Sequence, residues 1–126
     1  MTKQTGFDEK GWYPKSPRNV SKVNVANVAY GPAALTDKRI VAYTSLSASR
    51  LVVLPAEDCA DGTTTEPRII TVIDESGDCA AGVTLTVSIT GGTIDGAANI
   101  VLNTAYAAVT LMMFGTTAFI VNIKNV

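Results

Sequence analysis

The sequence predicts an all-β domain, built as a small sandwich, a small barrel or a short β-solenoid. Short runs rich in Val, Ile and Thr recur at intervals of roughly ten residues, the spacing of small β domains. Gly, Asp, Asn and Pro separate these runs, as turns require. No stretch shows the apolar period of an amphipathic helix. The 126 residues are one domain's worth of chain, and 47% of them are apolar, so much of the chain must be buried.

Composition changes near residue 22. Residues 1–22 hold five basic and two acidic side chains, Pro14 and Pro17, and the aromatics Phe7, Trp12 and Tyr13, with no periodic apolar pattern. This segment is expected to be an arm, and 23–126 the β domain. The body carries five basic and nine acidic residues, so a slightly cationic arm precedes an acidic body. The only tryptophan lies in the arm, although tryptophan prefers burial. Folding back onto its own domain or anchoring at a partner surface would each bury it.

In the body, Val23 and Val25 alternate with asparagines up to the turn at Gly31-Pro32, which predicts a first strand. Ile40–Thr44, Arg50–Leu54 and Arg68–Ile73 are the next three. Val83, Leu85, Val87 and Ile89 alternate with Thr84, Thr86 and Ser88, placing four apolar side chains on one face of a half-buried strand. Ala98–Leu102, Val109–Phe114 and Ala118–Ile123 complete the set, divided by Asn103–Tyr106 and by Gly115-Thr116. Such a monomer exposes sheet edges and has few charges to blunt them, so association between copies is expected.

Composition also excludes function classes. There is no histidine, which removes serine triads, cysteine–histidine dyads and His-based zinc sites. Lysine or carboxylate catalysis would need a paired constellation that the sequence lacks, so no enzyme is expected. A net charge of −1 offers no basic footprint for nucleic acid or an anionic membrane. Met1–Lys10 is polar and lacks the apolar core of a secretory signal. Tyr106–Ile123 is long and apolar enough to span a bilayer, but its threonines, Gly115 and β-branched content suit two strands better than one helix.

Four motifs have plainer readings beside functional ones. Gly91–Gly96 lacks the lysine of a phosphate loop, and Asp95-Gly96 reads as a tight turn. Asp74, Glu75 and Asp78 form an incomplete calcium set, with a solvated turn as the simpler reading. Cys59 and Cys79 sit in similar segments and could form a bridge, but two thiols are favoured because assembly in a reducing cytoplasm disfavours a disulfide. Met112, Met113 and Phe114 add apolar surface for packing or for a neighbouring protein.

Val52–Pro55, Ile70–Gly77, Val83–Ile89, Gly92–Ala97, Leu102-Asn103, Tyr106, Val109, Leu111 and Gly115-Thr116 follow in an order that resembles the β modules of tailed-bacteriophage head fibres, capsid decoration proteins and tail fibres. The resemblance spans about Asp37 to Ile123, most of the body. It departs where many relatives carry a tryptophan in the last strand and Asp-Gly just before it; Phe119 and Phe114-Gly115 stand there. The resemblance implies a structural virion protein, a homotrimer assembled in the host cytoplasm and placed on the capsid surface, with no cofactor or metal.

Taken together, these readings predict a β-sandwich or short solenoid-like domain with an extended arm, trimeric, serving as a capsid decoration or head-fibre protein. Phe7, Trp12, Tyr13, Pro14, Lys15 and Arg18 would attach it to the major capsid protein or another virion protein. Val83, Leu85, Val87, Ile89, Leu111 and Phe119 would pack subunit against subunit. The alternative is a tail-fibre or receptor- and glycan-binding tip module, for which Trp12-Tyr13 lies at the wrong end of the chain.

Overall fold

A computed structural model of the protein describes residues 22–31, 39–55 and 68–126. The chain is all-β, with no helix among the described residues. Nine strands form two sheets: β1 (Lys22–Ala26), β2 (Ile40–Ser45), β3 (Arg50–Leu54), β4 (Arg68–Asp74), β5 (Leu85–Ile89), β6 (Thr93–Ile94), β7 (Ile100–Leu102), β8 (Ala108–Phe114) and β9 (Thr117–Lys124). The larger sheet has the order β1-β2-β4-β8-β9-β6 and the smaller β3-β5-β7.

The first half of the chain winds between the sheets. β1, β2 and β4 lie parallel in the larger sheet, while β3 and β5 lie parallel in the smaller. Tyr30 bridges Val52 in parallel, so even the link after β1 touches the smaller sheet. Three successive coils result, as in a short solenoid. The second half then closes the two layers as a sandwich does. β7 runs antiparallel to β5, β8 to β4 and β9 to β8, and β6 lies parallel to the start of β9. The solenoid and sandwich features expected from sequence are thus combined in one molecule of two sheets, with no closed barrel among the described residues.

Alternation along each strand selects the buried face. Val41 and Tyr43 of β2, Ile70 and Val72 of β4, and Val109, Leu111 and Met113 of β8 point inward from the larger sheet. Val52 and Leu54 of β3, Leu85, Val87 and Ile89 of β5, and Leu102 of β7 meet them from the smaller sheet in one continuous core. The Tyr43 hydroxyl reaches the rim and donates to the Val28 carbonyl at 2.7 Å, so this large buried ring leaves no polar atom unsatisfied.

Two glycines are demanded by geometry. Asp95 and Gly96 take φ of 50° and 82° between Ile94 and Ala97, whose backbones exchange hydrogen bonds of 2.8 and 2.9 Å. This is the tight turn expected from the dipeptide, with positive φ at both central residues. At Gly92, a Cβ would collide with the Thr116 carbonyl oxygen, so only glycine lets this segment reach the β8–β9 hairpin.

Candidate interaction surface

The links that leave β1, β2 and β4 for the smaller sheet emerge at the end where those strands finish, and Asp74 organises that end. Register with Tyr43 turns it inward, and its side chain is fully buried. One carboxylate oxygen accepts the N–H groups of Ser76 and Gly77, each at 3.1 Å, and the Ser76 hydroxyl. The other accepts the N–H groups of Cys79 at 3.0 Å and Tyr106 at 3.2 Å. Burial pushes the Asp74 pKa up, but the Ser76 hydroxyl and the backbone donors of Cys79, Tyr106 and Gly77 outweigh it and hold the carboxyl below its usual range. An ionised carboxylate therefore clamps the turn after β4 to the turn before β8.

The neighbouring acids face elsewhere. Glu75 pairs with Lys22 at 2.7 Å, where both side chains are more than a third exposed, so the pair adds little stability. Asp78 accepts the Leu46 N–H at 3.1 Å. Among the described residues no group of three acid, cysteine or histidine side chains is placed to hold a metal ion. The solvated turn expected here needs correction, because Asp74, its first residue, is buried to satisfy donors that loop geometry alone would leave unpaired. Cys79 is a free, buried thiol, pushed up to about 12 by burial and by the Asp74 charge. Cys59 lies outside the described residues.

The opposite chemistry appears on the outward face of the larger sheet. Register aligns Ile69, Met112 and Phe119 in one row across β4, β8 and β9. Phe114 joins this row diagonally, its ring edge-to-face with that of Phe119 at a centroid distance of 5.8 Å. Ile69 is 40% exposed, Phe114 42% and Phe119 47%, so three large apolar side chains meet solvent together. The next row runs Ile40, Thr71, Thr110, Asn122, and the following one Ala42, Ile73, Ala108, Lys124. The Thr71 and Thr110 hydroxyls share a hydrogen bond of 2.9 Å. The charges on this face, Lys22 and Lys124, stand on β1 and β9, away from its centre.

The side chains expected between subunits are placed differently. Leu85, Val87, Ile89 and Leu111 are buried in the chain's own core, and Val83 packs half-buried against it. Period-two alternation identified their apolar face correctly, but the layer covering that face is the other sheet of the same chain. Phe119 alone of the six remains on the surface. Met112, Met113 and Phe114 divide by alternation, with Met113 in the core and the other two on the outward face. Ile69 was not singled out from the sequence; the unbroken Ile69-Ile70 pair was the available signal that both faces of β4 are apolar. Phe7, Trp12, Tyr13, Pro14, Lys15 and Arg18 lie outside the described residues. No helix among the described residues is long and apolar enough to cross a membrane. Compared with protein-family models and with curated proteins, the chain matches none.

Proposed function

We propose that the chain is a structural assembly protein of a tailed-bacteriophage virion, a capsid decoration or head-fibre protein whose β body associates with further copies, in trimers, while residues 1–22 attach to the major capsid protein. The observation supporting this reading is the apolar outward face of the larger sheet. A domain of this size has already filled a continuous core, yet Ile69, Met112, Phe114 and Phe119 remain outside it in one contiguous group. Contiguous exposed apolar surface of this kind marks an association site. The acids near it hold turns together and do not converge on a common point, as catalytic acids would.

Deleting residues 1–21 and measuring co-sedimentation with assembled capsids tests the reading. Loss of capsid binding with an intact oligomer is the expected result. Undiminished capsid binding by the truncated chain overturns the attachment role of the arm, and glycan or whole-cell binding by the isolated protein would favour the fibre-tip alternative.

A further inference from the structure

We infer that the outward face of the larger sheet is the surface through which copies of this chain associate, with the Ile69–Met112–Phe119 row and Phe114 at the centre of contact. The inference deepens the assembly reading above and rests on it for the expectation of an oligomer. It names a face where sequence alternation pointed to residues now found in the core.

The occupant follows from area, charge and polar satisfaction. Ala42 of β2 is fully buried, so the open area lies on β4, β8 and β9: three strands about 4.8 Å apart, with about seven residues at 3.3 Å each, present roughly 330 Å² of plane. Side-chain relief adds to that, giving a contact at the small end of protein interfaces, below the ~800 Å² per partner of a standard one. A small acidic or basic ligand has nothing to recognise, because the centre of the face carries no charge. The charges at its margins are Lys22, already paired with Glu75, and Lys124 on the far strand. Copies can therefore bring these faces together around a common threefold axis without opposing like charges at the centre, giving an apolar middle and a polar rim. The hydroxyls of Thr71 and Thr110 in the middle row already bond to each other, which lowers the cost of removing water from them, while Asn122 at the β9 end of that row keeps a polar side chain on the face. The outward face of the smaller sheet is a poorer candidate: its three strands are shorter, Thr86 of its central strand separates Leu51 from Val101, and Ser88 lies beside Val53.

Sedimentation equilibrium and native mass measurement on the full chain test the inference with Phe119→Lys and Ile69→Lys, each placing a charge on the face, and with Leu51→Lys on the smaller sheet as control. The wild type should associate at micromolar concentration. Each face variant should weaken association by ~100-fold, the effect of a central interface residue, with the far-ultraviolet circular dichroism of the β fold unchanged. The control should match the wild type. A monomeric wild type at about 100 µM overturns the inference, as does association that ignores both face substitutions or falls equally in the control. Capsid binding separates this inference from the virion reading. An oligomer that depends on the face but never binds capsids ends the virion reading alone, whereas capsid binding by a chain whose association ignores the face ends the inference alone.

Discussion

Replacing Asp74 with asparagine isolates the contribution of the buried clamp. The substitution keeps the size of the side chain but exchanges one carboxylate oxygen for an NH₂ group. With the remaining oxygen kept on Ser76 and Gly77, the new donor faces the N–H groups of Cys79 and Tyr106, which lose their acceptor. Each unsatisfied buried N–H costs about 1–3 kcal/mol, and hydrogen bonds to a charged acceptor are worth about 1.5–3 kcal/mol each. Two orphaned donors therefore give an expected loss of about 4 kcal/mol, a large part of the roughly 5–15 kcal/mol that separates a folded domain from its unfolded chain. Urea unfolding at pH 7 and fixed protein concentration measures it. The effect also carries a pH signature. The folded-state pKa of Asp74 lies below its unfolded value, so the ionised clamp stabilises fully above about pH 4 and loses that contribution as pH falls through the lower folded value. The gap between wild type and Asp74→Asn should narrow as the buffer is taken below pH 4, because only the wild type has a proton to gain there. A difference under about 1 kcal/mol at neutral pH, or a gap that stays constant into acid, refutes the clamp.

The remaining predictions concern a close approach and a thiol. Gly92→Ala forces a methyl group into the Thr116 carbonyl and should cost about 2–3 kcal/mol, read as a lower urea midpoint with unchanged slope; an unaffected midpoint would show that the β6 segment moves away freely. In a Cys59→Ser background, Cys79 should resist a thiol reagent at pH 8, because burial keeps it from the reagent and holds its pKa at about 12, and should react promptly in urea. Fast labelling of the folded protein would contradict that environment.

Most of the strand positions were legible because they depend on local pattern. Arg50–Leu54 is a strand from end to end, and Ala118–Ile123 lies within β9. Val83 fell inside the expected fifth strand, yet it pairs with Ala80 across a tight turn and β5 begins at Leu85. β6 was not legible: Thr93–Ile94 is too short to show a period, and it is a strand only because Thr117 and Ala118 lie beside it. The winding was not legible either, since parallel pairing of Ile40 with Thr71 depends on contacts far apart in sequence. The Asp74 clamp belongs to the same class, because its Tyr106 donor is 32 residues away. For the candidate surface, alternation states that a strand has an apolar face but not which layer covers it, and that is why Leu85, Val87, Ile89 and Leu111 were expected between subunits when they lie within one.

The division of labour between the two kinds of surface follows from the winding itself. Because β1, β2 and β4 are parallel, all their exits gather at one end, and no hairpin ties one coil to the next there. Main-chain bonds join the coils there, from the Asn27 N–H to the Ser45 carbonyl and from the Glu75 N–H to the Tyr43 carbonyl, each at 2.9 Å, and side chains add to them. The Asn27 side-chain oxygen Oδ1 accepts the Ser47 N–H at 2.9 Å and the Arg50 Nε–H at 3.2 Å, linking the first coil to the second. The Ser49 hydroxyl accepts the Thr84 N–H at 3.0 Å, linking the second to the third, and Asp78 accepts the Leu46 N–H across the same boundary. Asp74 then fastens the third coil to the turn before β8. On the broad sheet face, Ile69, Met112, Phe114 and Phe119 stand beside the mutually bonded Thr71 and Thr110, with Asn122 and the two lysines toward its margins. What such a face offers the outside is dehydratable area with no fixed charge at its centre, which is the property the proposed association between copies draws on.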